Sequence, residues 1–252
     1  MNRILTILVA SILAITSLSA LAETRKSILV VSEEWSGFVN AKGEGYYMDL
    51  LREIFPANQY ELDLKITPYA RSLALAKSDK AHIVLGIWAN EYPNERISHY
   101  PVEIDLIDAV VREKQLMVQG PSSFNGLRVL SRAGYGFDVL LDRPLSYTER
   151  IDIPAMLHMI SNNRADVLLD YKQEITPALR RGNYKNLKLV ENVLSEFVVF
   201  GFCSNRECDE LRRTFDARYT ELYHTGFIDR SIRKHTGKDA AVPPLTPMQE
   251  LW

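Results

Sequence analysis

The sequence predicts an α/β protein made of two open α/β lobes joined by two crossover segments. Short apolar runs alternate with segments of helical periodicity from about residue 27 to residue 236, the order expected of open α/β sheets. The apolar run Leu106–Val111 turns abruptly charged at Arg112, as a segment leaving one lobe would. A second apolar run, Phe197–Phe202, is placed to return the chain to the first lobe. Two crossovers of this kind permit rotation about a hinge near 110–114 and 197–202.

The first lobe is predicted from a strand–helix–strand–helix–strand order. Apolar runs mark the strands, and apolar residues at helical spacing mark the helices. Pro56 ends the first helix and Pro68 opens the second. The predicted strands are Ser27–Ser32, Tyr60–Ile66 and His82–Gly86, and the predicted helices are Tyr46–Phe55 and Pro68 to about Lys77.

The second lobe follows the same rules with shorter elements. Its predicted strands are Leu127–Ser131, Ala165–Leu169 and Leu187–Val190, and its helices run near Ile153–Ile160 and Ile175–Arg181. After the second crossover, apolar residues from Leu211 to Tyr223 and from Phe227 to Ile232 predict two more helices. The tail from Pro243 is expected to be irregular.

The first residues predict export. Arg3, the apolar run Ile4–Leu18 and Ala20-Leu21-Ala22 form the pattern of a secretory signal peptide cut after Ala22. An uncleaved anchor is the alternative, but the run is shorter than the ~20 residues that span a bilayer. We therefore expect a periplasmic protein with a signal peptide over 1–22, a first lobe over 23–112 and 201–252, and a second lobe over 113–200.

Cys203 and Cys208 are predicted to form a disulfide. They are the only two cysteines, and close pairs usually bridge in an oxidising compartment. Two separate buried thiols are the alternative. A metal site is not expected, because the five histidines are scattered without ligand spacing to the cysteines.

Composition limits the partners. The chain has 252 residues, 46% hydrophobic and 25% charged, and a formal net charge of -2. This balance gives no reason to expect a nucleic acid or an anionic membrane as partner. No cofactor is expected, and the protein is expected to be a monomer.

Several polar and aromatic residues sit where strands end, which is where ligand sites of α/β proteins lie. Arg96 comes from the loop after the third strand, and an arginine fork suits a carboxylate. Arg71 is the rival cation. Asp170 ends a strand and could equally cap the next helix. Trp35 and Trp88 stand on loops, which favours a position in a cleft over a position in the core. The alternative for Arg96 and Arg71 is a solvent-exposed position on a loop or a helix.

Six short motifs follow one another along the chain. They are Trp35-Ser36-Gly37-Phe38, Gly45–Leu51, the helix end Ala76–His82, Glu95-Arg96, Phe124–Val129 and Asn163–Asp170. With these motifs in this order, the chain from about Ser27 to Thr236 resembles the periplasmic solute-binding proteins of family 3, the receptors of polar amino-acid ABC transporters.

The resemblance implies the two-lobed periplasmic binding protein fold of type II and a set of site residues. Arg96 would hold a ligand carboxylate and Asp170 its ammonium group. Trp35 and Tyr69 would form aromatic walls, and Gly134, Tyr135 and Gly136 would offer backbone N–H groups. The chain departs from the family in a longer loop before Arg96, in Gly86-Ile87-Trp88 and in His82, which suggests a remodelled pocket.

The implied function is capture of a small polar solute, an amino acid or similar zwitterion, for a membrane ABC permease. A ligand sensor that reports to a membrane receptor is the second reading. A periplasmic dehydratase-like enzyme is the third, but it would need an acid–base pair. Only Asp170 with Glu174 offers one, so no enzyme is expected.

Overall fold

The computed structural model describes residues 25–114, 118–237 and 241–251, so the predicted signal peptide lies outside the described residues. Along this part of the chain, strands and helices alternate as in the sequence-based assignment. The strands are β1 Lys26–Ser32, β2 Tyr60–Ile66, β3 Ile83–Trp88, β4 Glu103–Arg112, β5 Arg128–Arg132, β6 Ser146–Arg150, β7 Val167–Asp170 and β8 Leu187–Phe202. The helices are α1 Tyr46–Ile54, α2 Tyr69–Lys77, α3 Ile153–Ser161, α4 Lys172–Gly182, α5 Arg206–His224 and α6 Phe227–Thr236.

The eight strands form one continuous sheet in the order β2-β1-β3-β8-β4-β7-β5-β6. β1 is parallel to β2 and β3 at one end, and β5 is parallel to β6 and β7 at the other. Between these two groups run β4 and β8, which are antiparallel to each other. The two-lobed α/β architecture predicted from the sequence is confirmed.

The crossovers are the long strands β4 and β8. Within β8, Val198 to Phe202 pair with β3 of the first lobe, while β4 pairs with β7 of the second lobe from Asp108 to Val111. The register between β4 and β8 shifts between Ile107 and Ala109. The carboxyl ends of β3 and β7 therefore face each other, with the first residues of β4 between them.

The sequence assignment missed two features of the sheet. The predicted strands Leu187–Val190 and Phe197–Phe202 are parts of β8, because Leu194, Ser195 and Glu196 between them keep their backbone pairing with β4. β6, with the sequence SYTER, is an edge strand that carries mostly polar side chains. Backbone pairing with a neighbour makes both segments strands, and an apolar pattern cannot reveal that.

The end of the chain returns to the first lobe, where aromatic packing holds it. Tyr47 of α1 meets Phe200 of β8 edge to face at 5.0 Å between ring centroids, and Phe200 meets Phe215 of α5 at 5.3 Å. Tyr219 of α5 donates a hydrogen bond to the carbonyl of Pro101 at 2.8 Å. These contacts pack α5 against β8 and α1. Within the described ranges, no helix has the length and apolar character needed to cross a membrane.

The predicted disulfide between Cys203 and Cys208 is confirmed, with the two Cα atoms 5.4 Å apart. It joins the end of β8 to the first turn of α5, where the side chain of Asn205 accepts a hydrogen bond from the N–H of Cys208 at 2.9 Å. The bridge therefore fixes the point at which the chain turns back into the first lobe.

Removing this bridge should have a modest effect. Replacing both Cys203 and Cys208 by alanine is expected to lower the free energy of unfolding by about 2 kcal/mol, because so short a loop restricts the unfolded chain little. Urea denaturation of the variant beside the native protein measures the difference. A loss of about 5 kcal/mol or more would show that the bridge holds the lobe by something beyond loop closure.

Candidate functional site

A cavity of about 510 Å³ lies between the lobes, at the carboxyl ends of the parallel strands. This volume is within the range of small-molecule sites. Its walls are unusually aromatic. Trp35, Phe38, Tyr47, Tyr69 and Trp88 line it from the first lobe, and Tyr135 and Tyr171 line it from the second.

The first-lobe wall is centred on Trp35, which follows β1. Its ring lies 5.9 Å from the ring of Tyr69, at the start of α2, and 6.5 Å from the ring of Tyr47. Gly86 of β3 makes room for the indole. A Cβ atom at Gly86 would lie 2.2 Å from an atom of the Trp35 ring, and the backbone φ of +65° is one that glycine alone adopts readily.

Gly86→Ala should therefore displace Trp35. We expect the free energy of unfolding to fall by about 2 kcal/mol, from backbone strain together with the clash, and the near-UV circular dichroism of the aromatic wall to change. Gly126→Ala is the matched control, since Gly126 has a φ of +72° and nothing within 4 Å of an added Cβ. Equal losses and unchanged aromatic spectra in the two variants would contradict the role given to Gly86.

The second-lobe wall is formed by Tyr135 and Tyr171, whose ring centroids are 5.6 Å apart. The Tyr171 hydroxyl donates to Oδ2 of Asp105 at 2.8 Å, and Nε1 of Trp88 donates to the same oxygen at 3.1 Å. Asp105 thus accepts one hydrogen bond from each lobe. This carboxylate lies where the two lobes meet.

Two carboxylates form the floor of the cavity. Glu103 and Asp105 alternate along β4, so both side chains lie on one face of the strand. The Tyr47 hydroxyl donates a hydrogen bond to Glu103. Asp105 is 9% exposed. Burial raises the pKa of Asp105 to about 6, and burial together with the nearby Asp105 raises the pKa of Glu103 well above its ordinary value.

A third carboxylate stands behind the aromatic wall. Glu91 accepts a hydrogen bond from the Tyr69 hydroxyl and another from the N–H of Trp88 at 3.1 Å. Lys172 also lines the cavity, and its ammonium group lies 2.7 Å from Oε1 of Glu191. The described walls therefore carry more negative than positive charge.

Four of the predicted site residues meet at this cavity: Trp35, Tyr69, Trp88 and Tyr135. Their direct contact with a ligand stays a prediction. Trp88 is buried rather than placed at the rim, since its side chain also packs 5.9 Å from Phe137 of the second lobe.

Arg96 does not reach the cleft. It lies at the opposite end of β3, where Nε donates to the carbonyl of Phe202 at 3.0 Å and a terminal nitrogen donates to the carbonyl of Ala76 and to Asp79, each at 3.1 Å. Its guanidinium also stacks on the ring of Tyr92, 5.0 Å from the centroid. The Arg96 side chain fixes this loop and does not line the cavity, where contact with a ligand carboxylate had been expected. Arg71 is exposed on α2 and does not line the cavity either.

Asp170 and the glycines are also occupied elsewhere. Asp170 is fully buried at the end of β7 and pairs with Arg132 at 2.9 Å. The N–H groups of Gly134 and Gly136 donate to the carboxylate of Glu149 at 3.1 and 3.2 Å. In the described cavity these three residues contribute no lining atoms, so the expected ammonium and backbone contacts are corrected as well.

The sequence reading missed Glu103, Asp105 and Tyr171. A usable pattern was present, because Glu103 and Asp105 alternate with Ile104 and Leu106 at the start of a mainly apolar strand. Two acidic residues on one face of a central strand need a partner or a function. Tyr171 follows β7 directly, at a strand end where ligand sites lie. No group of three or more possible metal ligands occurs among the described histidine, cysteine and acidic residues.

No protein-family model and no curated protein sequence matches this chain. Solved structures match it in shape. A structure from work on glutathione import in Gram-positive bacteria, via GshT and the cystine ABC importer TcyBC of Streptococcus mutans, is 16% identical with a TM-score of 0.61. The match covers 88% of this chain and 98% of that chain.

Two further structures agree with this match. A histidine kinase sensor domain with similarity to periplasmic binding proteins is 16% identical, with a TM-score of 0.62 and coverage of 87% of this chain and 99% of its own. The ligand-binding core of GluR0 from Nostoc punctiforme, in complex with L-glutamate, is 17% identical, with a TM-score of 0.59 and coverage of 83% and 99%. The chain therefore has the two-lobed α/β fold of the periplasmic binding proteins.

Proposed function

We propose that this protein is a periplasmic solute-binding protein that captures a small polar ligand between its lobes and delivers it to a membrane ABC permease. The observation that carries the proposal is the cavity of about 510 Å³, which both lobes line. A ligand there would touch Trp35 and Tyr69 on one side and Tyr135 and Tyr171 on the other. Contacts to both lobes favour the closed state over the open one.

The acid–base pair that the sequence offered for an enzyme does not serve this cavity. The pair that an enzyme on this fold would have needed is Asp170 with Glu174, and both carboxylates lie against Arg132, at 2.9 and 3.5 Å. A general acid–base pair must instead reach its substrate. The similar structure from work on glutathione import via GshT and the cystine ABC importer TcyBC supports transport.

Sensing is the second candidate. A histidine kinase sensor domain shares this fold over 99% of its own length. In that role the same cleft would close on the same ligand, and a membrane receptor would replace the permease. Affinity capture from membranes, with and without ligand, separates the two roles by the partner recovered.

A thermal-shift screen of amino acids, amines and other small solutes tests the binding proposal. A ligand at 100 times its dissociation constant should add about 2.7 kcal/mol to the free energy of unfolding. Small-angle scattering should then show a smaller radius of gyration as β4 and β8 bend. Tyr135→Ala should weaken binding, whereas Tyr184→Ala, a matched tyrosine of the same lobe outside the cavity, should not. An unchanged radius of gyration at saturation would contradict closure.

A further inference from the structure

We infer that the cleft selects a ligand carrying an N–H-bearing cationic group, such as a primary ammonium or a guanidinium, which Glu103 and Asp105 bind between the aromatic walls. This inference rests on the proposed function and names the class of solute for the same cavity. From the sequence, Arg96 was expected to bind a ligand carboxylate and Asp170 a ligand ammonium group. The inference instead assigns binding of the ligand cation to two carboxylates of β4.

The two carboxylates have oxygen atoms available for a ligand. Asp105 uses Oδ2 for both of its protein donors, Trp88 and Tyr171. Glu103 uses Oε2 for the Tyr47 hydroxyl. No described residue donates to the second oxygen of either carboxylate, and the cavity reaches both residues. Each can therefore accept a hydrogen bond from a bound cation.

The charge of these carboxylates is also left without a protein counterpart. Among the described residues, no lysine, arginine or histidine forms an ion pair with Glu103 or Asp105. Lys172, the basic side chain at this wall, lies against Glu191. A buried carboxylate without a counter-charge is unfavourable, and a cationic ligand would supply that charge.

The aromatic walls suit the same ligand. The side chains of Trp35, Tyr69, Tyr135 and Tyr171 line the same cavity as the two carboxylates. The negative face of an aromatic ring attracts an organic cation, most strongly when water is excluded. A ligand anion in the same place would instead meet Glu103 and Asp105 with unfavourable charge.

The hydrogen-bonding capacity narrows the class further. A quaternary ammonium has no N–H group and could use only the aromatic faces. The free carboxylate oxygens would then stay without donors in a partly dry site, which is costly. A primary ammonium or a guanidinium can donate hydrogen bonds to the carboxylate oxygens and also lie against the aromatic rings. We therefore expect these groups to bind more tightly than their fully methylated counterparts.

Calorimetric titration with L-arginine, L-lysine, putrescine, the fully N-methylated bis-quaternary form of putrescine, glutarate and glutaramide tests the inference. At least one of the first three should bind, and the bis-quaternary form should bind at least tenfold more weakly than putrescine if putrescine is the ligand. Glu103→Gln and Asp105→Asn should each weaken binding of the cation roughly tenfold to a hundredfold. Glu53→Gln and Asp63→Asn, exposed carboxylates outside the cavity, are the matched controls and should bind normally.

The outcomes separate this inference from the proposed function. Binding of glutarate or glutaramide, which have no cationic group, without binding of any N–H-bearing cation would overturn the cationic class and leave a solute-binding protein. A cation that binds equally well to native protein, Glu103→Gln and Asp105→Asn would also overturn it, because other residues would then bind the cation. If no solute in the wider thermal-shift screen binds, the proposed function itself fails. Thermal unfolding of each variant without ligand confirms that a loss of binding is not a loss of fold.

Discussion

Replacing Arg96 with alanine is expected to lower the free energy of unfolding by about 3 kcal/mol and to leave ligand affinity unchanged. The Arg96 side chain is only 16% exposed. It donates to the carbonyl groups of Phe202 and Ala76 and forms an ion pair with Asp79. Truncation would remove these charge-assisted bonds and leave two backbone carbonyl groups without this donor.

Urea denaturation and calorimetric titration of the same preparation measure the two quantities. Arg71→Ala is the matched control, because Arg71 is an exposed arginine of α2. Its free energy of unfolding should change by no more than about 0.5 kcal/mol. Native-like stability of Arg96→Ala with abolished ligand binding would show that the arginine reaches the ligand after all.

Asp105→Asn should make the ligand-free protein more stable at pH 7, by roughly 2–3 kcal/mol. Burial has the largest effect on the pKa of Asp105 and raises it, and the nearby Glu196 and Asp108 raise it further. Hydrogen bonds from Tyr171 and Trp88 lower it. The resulting pKa is about 6, against 3.8 for an unperturbed aspartate. The folded protein therefore binds this proton more tightly than the unfolded chain. Stability from this group is present below about pH 4 and is lost as the pH rises to about 6.

The difference between the native protein and Asp105→Asn should follow the same course. Urea denaturation at pH 4, 5, 6 and 7 should show the two proteins diverging as the pH rises, with asparagine the more stable. Taking the difference removes the effect of groups such as Asp166, whose pKa is lowered mainly by a hydrogen bond from Arg128. Asp63→Asn serves as the control with an exposed carboxylate. A pH-independent difference would contradict the buried, unpaired state of Asp105.

The fold could be predicted from local patterns. Tyr60–Ile66 alternates polar and apolar residues and is the strand β2 with those bounds. The helix predicted from Tyr46 begins at that residue and ends at Ile54, one residue before the predicted end. The disulfide followed from two cysteines in an expected oxidising compartment. β6 and the middle of β8 could not be predicted, because their polar side chains hide a pairing made by neighbouring strands.

The site was predictable in its aromatic part and not in its charges. Trp35 follows β1 and Trp88 ends β3, and these strand ends fix their place at the cavity. The position of Arg96 depends on the path of a loop, and that loop carries the side chain to the far end of β3. Glu103 and Asp105 lie within β4, and only the sheet order shows that this part of β4 crosses between the lobes.

A crystal structure of the protein with the solute that gives the largest thermal shift tests the central claim most directly. The account predicts that the ligand lies between Trp35 and Tyr69 of the first lobe and Tyr135 and Tyr171 of the second. A cationic nitrogen should lie within about 3.2 Å of a carboxylate oxygen of Glu103 or Asp105. A ligand bound outside this cavity, or one held by Arg96 with Glu103 and Asp105 facing empty space, would contradict it.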